Sequence, residues 1–303
     1  MATILEDPGV QTMGQRQRLS GSLWGWVVQG GVLGGAFLYL YAFVLPPLIT
    51  DWAEDPNYSH GFLVPIISAY FVWDRRQQLR GVVRQPSAWG ILLLLAGVCT
   101  LFLGYIGAEL FLMRSSMIVV ITGLVLYFCG WKIVHMLAFP LAFLVFMVPL
   151  PAIILNMITF PLQLLAAKFS TVSLQLVGLP VYREGNIVFL PHTTLEIIEA
   201  CSGIRSLVSL LALAVVFAYV TQRQIGKRWV LIVSAVPIAL VANAFRIWGT
   251  GVLAFLYGTK VAEGFYHTFA GWLVFVVAFV LLLSEGFLLS LLPNDRLARE
   301  REP

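Results

Sequence analysis

Long apolar runs separated by short polar stretches organise the chain, at residues 23–49, 61–74, 88–107, 110–129, 132–150, 201–221, 229–256 and 266–292. About 20 such residues, wound as a helix, cross the ~30 Å hydrocarbon core of a bilayer. The pattern therefore predicts an all-α polytopic membrane fold with about eight transmembrane helices. The second run is short because Asp74, Arg75 and Arg76 end it, so it must borrow Asn57 to His60 or cross a thin, protein-lined region. A further stretch, 152–178, is interrupted by Gln163, Lys168, Ser170, Thr171, Ser173 and Gln175 and approached through Pro149, Pro151 and Pro161. An extra interfacial helix or re-entrant hairpin is expected there, beginning and ending on one side. A single crossing would instead invert every later span. Over 181–198 the period shortens to β-like runs around Glu184-Gly185-Asn186, which predicts a small extracytoplasmic hairpin or sheet fragment.

Composition agrees with the pattern. Hydrophobic residues make up 59% and charged residues 11% of 303, where a soluble domain carries about a quarter charged. The first run is too long for the core of a cleaved signal peptide and is read as a retained span. The expected organisation is a tail over 1–22, one membrane domain over 23–292 and a second tail over 293–303. Orientation follows from Lys and Arg, which are retained on the cytoplasmic side of span ends. Both tails and the loops holding Arg75 to Arg84, Lys132, and Arg223 to Arg228 contain 13 of the 19 basic residues. The alternate loops include the acidic Asp51-Trp-Ala-Glu54-Asp55. Both termini are thus expected in the cytoplasm. The Arg75 to Arg84 cluster is most simply a topology signal, and a pI near 9 gives no reason to expect nucleic acid as a partner.

Three polar residues then stand out, because each lies where an apolar run meets its outer flank. Cys201, in Glu199-Ala-Cys-Ser202-Gly-Ile-Arg205, opens the sixth run. A helix N-terminus favours a thiolate, and Arg205, four residues on, would share its helical face. The plainer reading is a small buried Cys, which is the one given to Cys99 and Cys129 inside their apolar runs. Arg246 falls about 25 Å along its helix from Trp229 and forms one polar stripe with Asn243 and Thr250. A cation there must snorkel, pair or line a wet cavity. His267 opens the last run between Gly264 and Gly271, which would let another helix or a substrate approach. It suits proton transfer near neutral pH, although an interfacial His is often only a hydrogen-bonding residue. His60 is its rival on the same face, His192 a weaker one, and His135 is read as structural.

Taken in order, Tyr58-Ser-His-Gly-Phe-Leu-Val-Pro65, Glu184-Gly-Asn186, Glu199-Ala-Cys-Ser-Gly-Ile-Arg-Ser206, Asn243-Ala-Phe-Arg-Ile247 and His267 before Gly271-Trp272 resemble an exosortase of the exosortase/archaeosortase family, over about residues 45–290. The resemblance implies an eight-span cysteine transpeptidase of the bacterial inner membrane, with both termini cytoplasmic and its site at the periplasmic face. Its implied substrates are secreted proteins whose C-terminal sorting tail joins a short Pro-Glu-Pro-like motif, a transmembrane helix and a basic end. It implies Cys201, Arg246 and His267 as catalytic residues. Arg205, Asn243, His60, Glu199 and Ser202 are candidate supporting residues. His267 points to the bacterial branch, since archaeal relatives carry a second Arg there. No cofactor or metal is called for, and the cell-surface acceptor, a polysaccharide or a lipid, is not identified. Chemically, a Cys201 thiolate would attack a carbonyl, Arg246 would donate to the oxyanion and His267 would protonate the leaving amine, leaving a thioester. The other classes weighed are a transporter, which would be expected to carry broken helices or charges near the midplane, and a non-catalytic scaffold for exopolysaccharide export. The topology is testable directly: a periplasm-active reporter fused after Leu195 should be active and one fused at Gln224 silent, and the reverse would overturn the assignment.

Overall fold

The computed structural model describes residues 28–191, 193–197, 203–258 and 265–292. The chain divides into two compact units, residues 1–49 and 50–303. Helix α1 (Val28–Leu40) lies in the first, and after a short break α2 (Leu45–Glu54) runs across the boundary; the two form a bent pair. Among the described residues six helices are long and apolar enough to cross a membrane, and seven if that bent pair is one span. The fold is an all-α polytopic membrane fold with one small sheet.

The second unit continues with α3 (Leu63–Asp74), α4 (Arg76–Gly81), α5 (Trp89–Ile106) and α6 (Leu110–Cys129). Gly90, Gly97 and Gly104 recur every seven residues along α5. A Cβ at Gly97 or Gly104 would lie 2.6 Å from Val120 Cγ2 or 2.8 Å from Met113 Cγ, so the α5–α6 hairpin closes on small residues. Cys99 is exposed on α5 and Cys129 half-buried, which corrects the expectation that both are buried. An apolar thiol facing lipid is as well solvated as one facing protein, so hydropathy does not separate the two. The fifth run is broken into α7 (Trp131–Met136), α8 (Ala138–Phe143) and a 3-10 turn, Leu144–Met147. It packs on the equally short α3, where Ser68 Oγ donates to the Pro140 carbonyl at 2.8 Å.

The stretch after Pro151 is a single 25-residue helix, α9 (Ala152–Leu176), with Pro161 inside it. A re-entrant hairpin is excluded. Of the polar residues expected to interrupt it, Gln163, Ser170 and Thr171 form an inward stripe, buried with Thr159, Ala166, Ala167 and Leu174, while Lys168 and Gln175 are exposed. Three strands follow, β1 (Tyr182–Glu184), β2 (Ile187–Leu190) and β3 (Thr193–Glu196), in an antiparallel sheet. Glu184 pairs with Ile187 across a turn at the left-handed Gly185, φ +61. The buried Val188 and Ile197 join Ala167 and Leu174 of α9 in one apolar cluster.

Three helices complete the unit: α10 (Ile204–Thr221), α11 (Ile225–Tyr257) and α12 (Phe265–Leu291). Alanines spaced for close helix contact, Ala214 and Ala218 on α10 and Ala235, Ala239 and Ala242 on α11, are buried with Leu210, Leu231, Ala278 and Leu282.

Contacts between elements establish which ends share a face. The Trp52 indole donates to the Met147 carbonyl at 2.9 Å, and Pro56 and Ser59 line one cavity with Gly203. At the other end Arg75 donates to the Met136 carbonyl, and Phe71 lies edge-on to Tyr219 at 5.4 Å. Helices α3 and α10 therefore run parallel, so the chain makes an even number of crossings between Leu150 and Gly203. Helix α9 is long enough to cross; it follows Leu150, whose carbonyl accepts from the Tyr58 hydroxyl at 3.5 Å, and its last turns pack with Ile247 of α11.

One ion pair braces the face of the 52–60 loop. Arg114, with only 3% of its side chain exposed, meets Asp51 at 2.7 Å. Asp51→Asn would leave a buried guanidinium without its counter-charge and should cost about 3 kcal/mol or more in thermal unfolding in detergent. The double change Asp51→Asn/Arg114→Met should recover most of that loss. Equal damage from the single and double variants would show that the pair does not act through charge.

Candidate active site

Helix α11 carries the site's polar stripe. Asn243 is buried at 3% exposure, Arg246 is half-buried beside it, and Thr250 is half-buried one turn on. Two glycines let neighbouring elements close on this stripe. Gly203 takes a left-handed φ of +81, and a Cβ there would lie 2.8 Å from Asn243 Cγ, so the turn before α10 sits directly on the Asn243 amide. A Cβ on Gly271 of α12 would lie 3.4 Å from Arg246 Nη1. The room expected beside Gly271 is filled by the Arg246 guanidinium.

A cavity of about 570 Å³ opens where these elements meet. The 56–59 loop contributes Pro56 and Ser59, α10 contributes Arg205, Ser206 and Ser209 beyond Gly203, α11 contributes Arg246, and α12 contributes Gly271, Trp272 and Phe275. Two guanidinium groups and three hydroxyls thus share a space walled by two aromatic rings. Such a site can hold anionic or strongly polarised oxygen, and its apolar walls strengthen each hydrogen bond made there.

Two fixed points bracket the segment that leads into α10. Asn186 holds the exit of β3 on both sides: its Nδ2 donates to the Ile197 carbonyl at 3.1 Å, and its own carbonyl accepts from Ile197 N at 3.0 Å. Ile197 is packed in the same apolar cluster as Ile247 of α11. The other point is Gly203 on Asn243. Both anchors fall within one turn of α11, on either side of Arg246.

Glu199, Cys201, Ser202 and His192 lie outside the described residues. His267 is the third residue of α12, four before Gly271, and its side chain also lies outside them. Helix α10 begins at Ile204, behind the left-handed Gly203. Arg205 itself is exposed and lines the cavity.

His60 occupies a 3-10 turn, and its Nε2 meets the Phe146 carbonyl at 3.2 Å, which requires that nitrogen to carry the proton. Burial pushes its pKa below the ordinary value, against the raising effect of that carbonyl. The next residue, Gly61, lies under the Trp52 indole with no space for a side chain. The Tyr58-Ser-His-Gly motif therefore acts first as a brace for the 52–60 loop. Arg114 was not singled out from the sequence. Its signal was a cation inside an apolar run, one turn after Glu109, which caps α6 by accepting from Leu112 N at 3.1 Å.

Residues 52–284 match the family described as transmembrane exosortase (Exosortase_EpsH). The chain belongs to the exosortase family. No curated protein and no solved structure matches it. Membership brings a membrane-embedded transpeptidase or protease-like role in general terms, of the cysteine type. The matched span of this exosortase contains every element that lines the cavity.

The seat of Gly203 can be tested apart from activity. Gly203→Ala should insert into the membrane yet lose about 1–3 kcal/mol of stability, from overpacking and the left-handed φ. Asn243→Ala in the same chain should return the overpacking share. Strictly additive effects in a double-mutant cycle of thermal unfolding would show that the two residues do not bear on each other.

Proposed function

We propose that this exosortase cleaves the C-terminal sorting tail of secreted proteins at the outer face of the bacterial inner membrane, through a thioester on Cys201, and passes them to a cell-surface acceptor. The observation that carries this reading is the convergence on one cavity of Gly203, Arg246 and Gly271. Cys201 is two residues from Gly203, so the chain itself keeps its Cα within about 7 Å of that cavity wall. His267 is one helical turn from Gly271. In this mechanism the Cys201 thiolate adds to the scissile carbonyl and Arg246 donates to the oxygen as it becomes anionic. The tetrahedral intermediate then collapses with cleavage of the C–N bond, and His267 gives its proton to the departing amine. The acyl group stays on sulfur until an amine or hydroxyl of the acceptor displaces it. A polysaccharide or a lipid offers such a hydroxyl.

Two further features support the reading. An apolar cavity of about 340 Å³ shares Ser59, Ser209 and Phe275 with the first and continues between α3 and α10 as far as Ile67 and Val216. It suits the apolar helix of a tail that arrives laterally from the bilayer. His60 has its Nε2–H committed to the Phe146 carbonyl and burial lowers its pKa, which makes it a poor proton donor.

Co-expression with a tagged, tail-bearing substrate tests the assignment. Cys201→Ala and His267→Ala should abolish processing and Arg246→Ala should slow it at least about a hundredfold. His60→Gln, which can keep the bond to Phe146, should leave processing largely in place. Normal processing in all three of the first set would remove the cysteine mechanism, and loss in His60→Gln alone would move the proton donor to His60.

A further inference from the structure

At the end of the bundle opposite the cavity, two guanidinium groups converge on one aromatic ring. Arg75, which follows α3, and Arg228, in the first turn of α11, lie with their central carbons 5.5 Å and 5.1 Å from the centre of the Tyr219 ring. Phe139 stacks on that ring at 3.5 Å, nearly coplanar, and Phe71 meets it edge-on at 5.4 Å. The ring is therefore fixed, and the cations share what the two phenylalanines leave open. Each guanidinium is also tied by one N–H to a helix end: Arg75 Nη1 to the Met136 carbonyl at the end of α7, and Arg228 Nε to the Gln222 carbonyl just after α10, the latter at 2.8 Å. Five donors per guanidinium leave most of their hydrogen-bonding capacity unspent by these contacts.

Like charges held over one ring repel each other, and the π face compensates only in part. Among the described residues no carboxylate lies within ion-pair distance of Arg75 or Arg228. A pre-set pair of forked donors beside an aromatic plate, at the level where the helices leave the hydrocarbon, matches a phosphate oxygen in charge, geometry and depth. Topology alone needs positive charge at this face but no such arrangement: Arg80 and Arg223 are exposed without it.

We infer that Arg75, Arg228 and Tyr219 form a binding site for a phosphate group, supplied by an anionic phospholipid headgroup of the adjoining leaflet or by free phosphate, that clamps α3, α7, α10 and α11 together. The site is remote from the cavity and independent of the proposed chemistry, so binding and stability read it, not processing.

The experiment compares the thermal midpoint of the whole protein in phosphatidylcholine nanodiscs with that in nanodiscs containing phosphatidylglycerol, with an arm in which inorganic phosphate is added to the former. Phosphatidylglycerol should raise the midpoint of the wild type. Arg75→Gln and Arg228→Gln should each weaken lipid binding about fivefold and together remove most of the rise, whereas Arg80→Gln and Arg223→Gln should keep it. The midpoint of each variant in phosphatidylcholine reports whether it is folded, and Arg75→Lys/Arg228→Lys, which keeps the charge without the forks, should retain only part of the rise. A rise given equally by inorganic phosphate assigns the site to free phosphate, and one seen only with phosphatidylglycerol assigns it to lipid. No rise in either arm, an undiminished rise in the folded Arg75→Gln/Arg228→Gln variant, or equal losses from Arg80→Gln and Arg223→Gln would overturn the site.

Discussion

The contact between the left-handed Gly203 and the Asn243 amide sets the distance between the start of α10 and the polar stripe of α11. A side chain at Gly203 would push the two apart, and Arg205, Ser206 and Ser209 would move with the helix that carries them. Asn186 performs the matching task upstream by gripping Ile197 from both sides. The Asn186 anchor reaches α11 through Ile247, and the Gly203 anchor reaches it through Asn243. These two positions are a single turn apart on α11, with Arg246 between them.

Support for that arrangement comes from the opposite side of the cavity. The 52–60 loop is held by Trp52 on Met147, by His60 on Phe146 and by Asp51 on Arg114. The first two use backbone carbonyls of a broken span, which are available because the 3-10 turn at Leu144–Met147 leaves them outside regular helix bonding. Breaks in the short runs thus serve as attachment points. Arg114 is buried whereas Asp51 is partly exposed, so it is the guanidinium that depends on the pair.

Much of this was legible in the residues. The apolar runs reappear as helices, and the turn at Gly185 and Asn186 appears with its strands paired around it. Misreadings had a common physical origin, which is that hydropathy along a chain does not record direction. Gln163, Ser170 and Thr171 looked like interruptions because they are polar, yet on a helix they fall on the one face that is buried against protein. Cys99 looked buried because its neighbours are apolar, yet they face outward. Arg114 escaped attention because its partner, Asp51, is 63 positions away in sequence, and only the folded helices bring the two together.

The length of α11 explains why the site lies where it does. At 33 residues it extends about 50 Å, against a hydrocarbon core of ~30 Å, so it cannot be contained in the bilayer. Its first two thirds pack against α10 and α12 through small residues. Its last third carries Ile247, Trp248, Val252 and Phe255 against the sheet and α9. Arg246 stands at the change between these two environments. Deeper, its charge would be costly to keep; further out, water would weaken every bond it made. At the boundary the guanidinium lies against Gly271 and lines a cavity with Trp272 and Phe275. A cation in that position acts through a medium less screening than water.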